Sequence, residues 1–479
     1  MLVNSAAPNR GGIIRAHFAV SSANFHVTEQ TINSDNPAIV PRDQHRISRA
    51  DISENALKVL YRLKNAGYGA YLVGGGVRDL SLGHEPKDFD VATDARPEEV
   101  RELFRNCRLI GRRFRLAHVQ FGREIIEVAT FRALHDPESQ DDDEADGDFD
   151  DDDVEVRDRA VGEVAFENGR IVRDNVYGTL EEDALRRDFT INALYYNIAD
   201  FSVVDHAGGL KDLDQGVIRL MGDPETRYRE DPVRMLRAVR FAAKLGFRIH
   251  PDTAEPLPRM AHLLAEVPPA RLFDEVLKLF MGGLAAETFE MLRQHGLFAP
   301  LFPMTEREIE ADQHGVVLSF IAQALKNTDE RIENGKPVTP AFLFAALLWP
   351  AVVARSLALQ AEEDVPPVPA LQQAAAEIQR RQRQSVAIPK RFGIPMGEIW
   401  TLQPRFDQRT GKRPLRFMGH PRFRAAYDFL LLRATIGEVP EALAEWWTQF
   451  QELHPEQRAQ VVLDQKGGRG RRGRRRRRR

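Results

Sequence analysis

The sequence predicts an α+β protein in which a small α/β head domain is followed by an extended, all-helical region. Between residues 51 and 222, short helical patterns alternate with short apolar strand patterns. After Pro224 the strand patterns stop, and amphipathic helical segments continue to about Val462. With 479 residues, 43% of them hydrophobic, the chain has enough apolar side chains for a sizeable core and is not disordered as a whole.

The predicted elements of the head alternate in type and are separated by glycine or proline signals. In order, they are a helix over Ser53–Asn65, a strand over Ala70–Val73, a strand over Phe89–Thr93, a helix opened by Pro97, and a β-hairpin of His118–Phe121 and Glu124–Phe131 that turns at Gly122. In the helical region the first long helix is predicted over Asp231–Leu245, ended by Gly246.

Shifts in composition divide the chain into five regions. A flexible extension is expected over residues 1–45 and an arginine-rich disordered tail over 464–479. The folded part comprises the head over 46–222, with a disordered acidic insert at about 136–160, and then two helical regions over 223–285 and 286–463.

Cysteine content and apolar run length exclude two classes of protein. A single cysteine, Cys107, excludes a disulfide framework and a cysteine-based zinc site, and it fits a reducing compartment. The longest apolar run, Ala341 to Ala354, is interrupted by Pro350 and is shorter than the ~20 residues of a membrane-spanning helix. We therefore expect a protein without a membrane partner.

The net charge of −4 conceals two strongly charged tracts. Residues 141–153 carry ten acids and residues 466–479 carry ten bases. A terminal basic arm typically binds a polyanion, above all nucleic acid, although a solvated tail without a partner is the alternative. The acidic tract is interpreted as an inserted loop, and mimicry of nucleic acid is its alternative.

The first candidate site is Gly74-Gly75-Gly76-Val77-Arg78-Asp79, at the junction of a predicted strand and helix. Glycines at such a junction let the backbone approach phosphate groups, and a helix N-terminus offers unpaired N–H groups. The dinucleotide fingerprint G-x-G-x-x-G fails because Asp79 stands at the third glycine position, and the P-loop pattern does not occur. Alternatively, the three glycines form a tight turn without binding a ligand.

The second candidate is Asp88-Phe89-Asp90. Residues two apart on a strand face the same side, so the two carboxylates are expected to converge while Phe89 enters the core. Carboxylates on one face suit Mg²⁺ shared with substrate phosphates. A second triplet, Asp212-Leu213-Asp214, follows its own glycine pair, but Gly216 and the alternating polar residues lead us to interpret it as a turn.

A third acid and several arginines extend the candidate set. Glu127 lies in an apolar strand, where a charge is costly unless it is paired, metal-bound or exposed on a sheet edge. Arg186-Arg187-Asp188 closes a helix predicted from Glu181, and guanidinium groups match phosphate oxygens in bidentate pairs. Asp231 opens the first long helix, and helix capping alone explains it.

In their order along the chain, these segments resemble the bacterial poly(A) polymerase and CCA-adding enzyme family. The resemblance runs from about residue 70 to 250 and rests on four segments: Leu72 to Asp79, Asp88 to Val91, Arg186 to Ala193, and Glu230-Asp231-x-x-Arg234 followed by Leu236-Arg237-Ala238. Within the family, Leu109 to Val119 and the basic arm resemble poly(A) polymerases, and Ile388–Arg391 and His420–Asp428 extend the likeness.

The resemblance implies a nucleotidyltransferase head and a helical neck, body and tail that hold RNA. By that analogy Asp88 and Asp90 bind two Mg²⁺ ions, which Mn²⁺ can replace, and Glu127 is the third carboxylate. Asp188, Arg186 and Arg187 lie beside the nucleotide. The other positions implied to contact ATP are Gly74, Gly75 and Arg78 at the triphosphate, and Asp231 and Arg234 at the adenine base, within a neck over 223–285.

The implied reaction is template-independent addition of AMP to the 3′ end of single-stranded RNA, forming poly(A) tails that affect RNA decay. The 3′-hydroxyl attacks the α-phosphate of ATP and expels pyrophosphate. A cytoplasmic monomer is expected. Positions assigned to RNA binding are basic and lie in three regions: Arg112, Arg113 and Arg115; Lys390, Arg391, Arg422 and Arg424; and Arg471, Arg472 and Arg474.

Two alternatives stay open at this point. A CCA-adding tRNA nucleotidyltransferase would share every implied catalytic residue, and only the segment 109–119 and the basic arm argue against it. An RNA-binding protein on an inactive transferase scaffold would have no use for the acids at 88, 90 and 127.

Overall fold

The computed structural model describes residues 37–111, 115–133, 164–167, 170–174, 176–458 and 460–461. The expectations for most of the N-terminal extension, the acidic tract, Arg112, Arg113 and the basic arm with Arg471, Arg472 and Arg474 lie outside the described residues. The chain divides into two compact units. The head unit comprises residues up to Gly162 together with Asn175–Gln215, and the helical unit comprises Glu163–Asp174 together with the chain from Gly216.

Strands and α-helices alternate in the head unit, whereas the described elements of the helical unit are almost all helices. The described strands are β1 (Ala38–Val40), β2 (Ala70–Val73), β3 (Asp90–Thr93), β4 (Cys107–Ile110), β5 (Leu116–Phe121), β6 (Glu124–Thr130), β7 (Val164–Glu167), β8 (Arg170–Asp174), β9 (Leu194–Asn197), β10 (Val203–Asp205), β11 (Val217–Ile218) and β12 (Arg248–Ile249). The described α-helices are α1 (Glu54–Asn65), α2 (Gly75–Leu82), α3 (Pro97–Leu103), α4 (Leu180–Leu185), α5 (Gly209–Asp214), α6 (Pro224–Glu230), α7 (Val233–Leu245), α8 (Pro251–Ala254), α9 (Leu257–Met260), α10 (Pro269–Phe280), α11 (Ala285–Gln294), α12 (Phe298–Leu301), α13 (Pro303–Ala311), α14 (Val316–Glu333), α15 (Pro340–Glu363), α16 (Pro367–Ser385), α17 (Lys390–Thr401), α18 (Arg413–Met418), α19 (Phe423–Thr435) and α20 (Glu441–Glu452).

The head unit is built on one eight-stranded sheet with the strand order β1-β10-β9-β2-β3-β6-β5-β4. Strands β3 and β6 pair in parallel, and the other neighbours pair antiparallel. Helix α1 begins after Ser53, whose hydroxyl oxygen accepts a hydrogen bond from the N–H of Ala56, and it buries Val59, Leu60 and Leu63. The strand order and register place the end of β2, the start of β3 and the middle of β6 side by side.

Several sequence predictions for the head need correction. The strand predicted from Phe89 begins at Asp90, and Phe89 is half-buried rather than in the core. The triplet Asp212-Leu213-Asp214 is not a turn but the end of α5. The carboxylate of Asp205 accepts hydrogen bonds from the N–H groups of Gly209 and Leu210, and these bonds fix the first turn of that helix.

The helical unit also departs from the predictions in detail. Helix α7 begins at Val233, because Asp231 ends α6 and Pro232 cannot continue the backbone hydrogen bonding. Its predicted end is confirmed, since Gly246 has a positive φ of 66°. Strand patterns do not stop at Pro224, because the short strand β12 pairs in parallel with β11.

The longest helix, α15, contains the apolar run that was expected to be too short for a membrane-spanning helix. Pro350 lies inside α15 without ending it, and this is the one helix among the described residues that is long and apolar enough to cross a membrane. Its apolar surface is largely covered by the protein: 67% of its most apolar stretch is buried. Phe344, Leu347 and Trp349 are among its buried side chains, and α13, α14, α16 and α17 pack against it, as expected for a core helix.

Candidate active site

The acids predicted to hold metal lie at the start of β3 and in the middle of the neighbouring strand β6, in the head unit. Asp90 is the first residue of β3, and Asp88 lies two residues before it, outside any helix or strand. In the parallel pairing of the two strands, Asp90 stands directly beside Glu127. On its other side Glu127 pairs with His118 of β5, whose Nε2 lies 3.4 Å from Glu127 Oε1.

The electrostatics of these acids differ from one residue to the next. Burial, together with the neighbouring carboxylates of Glu127 and Asp88, raises the pKa of Asp90 from its ordinary value of 3.8 to about 6, against an opposing effect of Arg187. Asp88 is exposed, and the side chain of Glu127 is 49% exposed. The protein itself therefore leaves a concentration of negative charge at Asp90 incompletely neutralised.

This arrangement fits a divalent cation by donor type and by charge. Carboxylate oxygens are the ligands that hard cations such as Mg²⁺ prefer, and a cation would relieve the repulsion that raises the pKa of Asp90. Among the residues that the structure describes, however, no three His, Cys, Asp or Glu side chains are already arranged around one metal position. The fit therefore rests on the Asp88–Asp90 pair, with Glu127 as their strand neighbour.

The glycine-rich segment joins β2 to α2 beside these acids. Gly74 has φ 71° and ψ −135°, a backbone conformation that favours glycine, and α2 begins at Gly75 as predicted. Register pairs Val73 with Asp90, and a Cβ added to Gly74 would lie 4.0 Å from Asp90 Oδ2 and 3.6 Å from Arg187 Nη1. The structure thus brings the helix N-terminus, a carboxylate and an arginine together.

Arg187 is held in place by two buried groups. Its Nε donates to the hydroxyl oxygen of Tyr195 at 2.8 Å, and its Nη2 donates to Asp183 Oδ2 at 2.9 Å. The Tyr195 hydroxyl in turn donates to the same Asp183 oxygen at 2.6 Å. Burial acts against the charge of Arg187, but Tyr195 and Asp183 raise its pKa above the ordinary range, so the guanidinium is held permanently charged.

A second network joins α2 to the segment after α4. Arg78 is only 3% exposed and donates through Nε to Asp79 Oδ1 at 2.8 Å and through Nη1 to Asn192 Oδ1 at 2.8 Å. Asn192 Nδ2 donates to Asp188 Oδ1 at 3.1 Å. Arg78 therefore ties the glycine segment to Asp188, which gives it a positioning role in addition to the predicted contact with phosphate.

Four of the residues in these two networks had no role predicted from the sequence. Asp79 and Asn192 lie within the segments quoted for the family resemblance, and Asp183 lies one helical turn before Arg187, a spacing typical of ion pairs on a helix. Tyr195 had no local signal, because its contact depends on how β9 packs. Arg186, the neighbour of Arg187, is half-buried at the end of α4.

The predicted base-recognition residues lie in the helical unit. Asp231 Oδ1 accepts a hydrogen bond from the N–H of Val233 at 3.2 Å, and Asp231 Oδ2 accepts one from Arg271 Nη2 at 2.7 Å. Arg234 Nη1 donates to Glu230 Oε2 at 2.6 Å. Both side chains are thus fixed by neighbours, Asp231 as a cap of α7 and Arg234 one turn into that helix.

The described members of the predicted RNA-binding set are dispersed. Arg115 pairs with Glu98 at 2.8 Å in the head unit. In the helical unit the first turn of α17 carries Lys390 and Arg391, and Arg422 and Arg424 lie at the start of α19. The latter two form ion pairs, Arg422 with Glu398 at 2.9 Å and Arg424 with Asp428 at 3.0 Å.

Three family models match separate parts of the chain. Residues 70–219 match "Poly A polymerase head domain", residues 246–309 match "Probable RNA and SrmB- binding site of polymerase A", and residues 363–479 match "Polymerase A arginine-rich C-terminus". The second match begins before the helical region over 286–463, in which RNA binding was expected, and overlaps that region at residues 286–309.

Comparison with curated proteins decides the family. Poly(A) polymerase I of Salmonella typhimurium is 53% identical over 436 residues, which cover 90% of this chain and 90% of that protein. The chain belongs to the poly(A) polymerase family. Its similarity to a CCA-adding enzyme of Bacillus subtilis is lower, at 39% identity over 51% of this chain. Within the poly(A) polymerase family the predicted enzyme class, a template-independent polynucleotide adenylyltransferase, is confirmed, and the CCA-adding alternative is a distant relative.

A solved structure supports the fold of this poly(A) polymerase family member. The CCA-adding enzyme of Bacillus stearothermophilus in complex with CTP superposes with a TM-score of 0.54 and 25% identity, covering 83% of this chain and 81% of that chain. The predicted fold class, a nucleotidyltransferase head followed by a helical region, is therefore confirmed.

Proposed function

We propose that the adenylyl transfer of this family takes place where the end of β2, the start of β3 and the middle of β6 lie side by side. The observation that carries the proposal is the position of Asp90 beside Glu127, with a pKa raised to about 6, next to the glycine-rich start of α2. A concentration of negative charge beside a phosphate-binding backbone is the arrangement that a metal-assisted transfer of a nucleotide requires.

In this proposal Asp88, Asp90 and Glu127 hold two Mg²⁺ ions, for which Mn²⁺ can substitute. When bound, the ions lower the pKa of the attacking RNA 3′-hydroxyl and offset charge on the pyrophosphate leaving group. Asp90 supplies the buried oxygens, and the more exposed Asp88 and Glu127 leave room for substrate oxygens. His118 restrains Glu127 from the opposite side.

The remaining groups of the head position the triphosphate. The N–H groups at the start of α2 donate hydrogen bonds to phosphate oxygens, and the positive end of the helix dipole attracts their charge, because Gly74 and Gly75 carry no side chain that would block the approach. Arg187 adds a fixed positive charge beside Gly74. Arg186 and Asp188 complete the site beside the nucleotide, and Arg78 holds Asp188 through Asn192.

Adenine selection is assigned to Asp231 and Arg234. A carboxylate acceptor and a guanidinium donor match the amino group and the ring nitrogen at the edge of adenine. Arg271 and Glu230 hold these two side chains in fixed orientations, which favours one base over others without a template strand.

The acceptor is the 3′ end of single-stranded RNA, bound by the positive charges of Arg115, Lys390, Arg391, Arg422 and Arg424. We further propose that the basic positions Arg112, Arg113, Arg471, Arg472 and Arg474 contribute to RNA binding. We assign the enzyme to the cytoplasm, as a monomer, with domain limits at about residues 222, 285 and 463.

The test is nucleotide choice. Purified full-length protein is incubated with Mg²⁺, a short labelled RNA and each nucleoside triphosphate separately, and products are sized on a gel. Long ladders with ATP alone are the expected result. Addition of two C residues and one A to a tRNA substrate would contradict adenine selection by Asp231 and Arg234, and no extension with any nucleotide would contradict the whole proposal.

A further inference from the structure

We propose that the groove between α16 and α17 binds the phosphodiester backbone of single-stranded RNA, at a site separate from the catalytic head. The groove has a volume of about 440 Å³, and the residues that line it include Gln379, Arg380, Arg383, Glu398 and Thr401. This inference rests on the proposed function, since it concerns how the same RNA acceptor is held.

The charges of the groove favour an anion. Arg380 and Arg383 are exposed, and neither forms an ion pair with any residue that the structure describes. The acid of the groove, Glu398, is already paired with Arg422 at 2.9 Å. The nearby acid of α16, Glu377, is paired with Arg355 at 2.7 Å and also with the exposed Arg381. Arg380 also acts electrostatically on Glu377, but Arg355 and Arg381 already pair with that acid, so Arg380 and Arg383 keep positive charge for a ligand.

The groove is lined by small residues as well as polar ones. Gly393 and Gly397 lie four residues apart on α17 and carry no side chain, and a Cβ added to Gly397 would lie 2.6 Å from Gln379 Nε2. The amide of Gln379 consequently lies across the groove floor, between the helices. An amide and two guanidinium groups are donors suited to phosphate oxygens and to the 2′-hydroxyl of RNA.

The groove adjoins the segment that the RNA-associated family model matches. Helix α10 lies within residues 246–309, and it packs against the loop that joins α16 to α17. The N–H of Ala387 donates to the carbonyl of Pro269 at 3.0 Å, and the rings of Phe273 and Phe392 stack at 5.9 Å between centroids. The first turn of α17 also carries the exposed Lys390 and Arg391. The groove and α10 thus belong to one continuous part of the helical unit.

The test is the salt dependence of RNA binding by the full-length enzyme. The double variant Arg380→Gln, Arg383→Gln is compared with wild type by fluorescence anisotropy, using a labelled oligoadenylate without ATP. If both arginines contact phosphates, the slope of log affinity against log salt concentration falls in magnitude by about 1.4, which is about 0.7 per contact. Gln372→Glu, which adds a negative charge at the groove, is expected to weaken binding as well.

The matched control is the double variant Arg331→Gln, Lys336→Gln, which removes two charges from exposed positions of the same unit outside the groove. A slope for the groove variant equal to that of the control would overturn the proposal. A second result would also overturn it: the groove variant loses binding of labelled polyaspartate while its RNA binding stays unchanged. The groove would then bind an acidic protein chain rather than RNA. The KM for ATP with a short primer should stay unchanged in both variants, which separates this test from the proposed catalytic function.

Discussion

Among the described residues of the head unit, two Asp-x-Asp triplets follow glycines, and they differ in every physical respect that matters for catalysis. Asp88-Phe89-Asp90 leads into a strand, and its second acid stands beside Glu127 with a pKa raised to about 6. Asp212-Leu213-Asp214 ends a helix, where residues two apart point in different directions. Asp212 is buried and accepts a hydrogen bond from the Thr190 hydroxyl at 2.7 Å, whereas Asp214 is exposed.

The glycines that precede the two triplets also differ, in the space around them. A Cβ added to Gly74 would meet only the ends of the Arg187 and Asp90 side chains and the Asn192 carbonyl oxygen, at 3.6 Å or more. A Cβ added to Gly209 would collide with the backbone carbonyl of Thr190. The first glycine segment thus leaves space for a ligand, and the second lets two parts of the backbone pack together. Spacing in the sequence does not distinguish them; the secondary structure that carries each triplet does.

The largest expected effect is on activity in Asp90→Asn. This substitution keeps the shape of the side chain but replaces the carboxylate by a neutral amide, and so removes the negative charge that cation binding requires. We expect kcat/KM for AMP addition to fall more than about 100-fold, since even partners one shell away from a metal are worth about 10–100-fold. RNA affinity, measured by anisotropy, should be unchanged. If Asp90→Asn kept wild-type turnover, the acids of β3 would have no catalytic role.

The same substitution should stabilise the metal-free protein at neutral pH. Because the folded-state pKa of Asp90 is raised from 3.8 to about 6, ionisation of Asp90 costs the folded state roughly 2–3 kcal/mol, at about 1.4 kcal/mol per pKa unit. This cost is absent below pH 3.8, grows as the pH rises and is complete above about pH 6. Urea unfolding in the presence of a chelator should therefore show Asp90→Asn to be more stable than wild type at pH 7.5, and equal to it near pH 4.

The comparison also shows what the sequence can and cannot predict. The strand–glycine–helix junction at Gly74 and the end of α7 at Gly246 follow from local backbone preferences, and the predictions were confirmed. The parallel pairing that sets Asp90 beside Glu127 joins strands separated in the chain by α3, β4 and β5, so only tertiary packing fixes it. The prediction for α5 was wrong because Asp205, outside the helix, binds its first N–H groups.

Sequence patterns also missed the residues that hold Arg187. Arg187 itself was predicted as a site residue because it lies in an arginine-rich segment. The buried Asp183–Tyr195 pair that fixes its orientation, however, depends on the packing of β9 against α4. A tyrosine in an apolar strand carries no local sign that its hydroxyl will meet a guanidinium group.

Asp212→Ala should act on stability alone. The substitution leaves the buried Thr190 hydroxyl without the carboxylate oxygen that accepts its hydrogen bond, which is expected to lower the free energy of unfolding by about 1–3 kcal/mol. At 25 °C, kcat/KM of the folded fraction should stay within about threefold of wild type. A loss of activity comparable with that of Asp90→Asn, in a variant shown by circular dichroism to be folded, would mean that the second triplet belongs to the active site.

Asp214→Asn is the smallest change and the strictest control for the comparison. Asp214 is exposed at the end of α5, and a carboxylate near a helix C-terminus meets the negative end of the helix dipole. Removing its charge should therefore change the free energy of unfolding by no more than about 0.5 kcal/mol, toward greater stability, and leave activity unchanged. Urea unfolding and steady-state kinetics beside Asp90→Asn check both expectations. Since the two substitutions are chemically identical and both acids end an Asp-x-Asp triplet, a large effect at 90 and none at 214 would assign the function to the strand pairing of Asp90 rather than to the triplet itself.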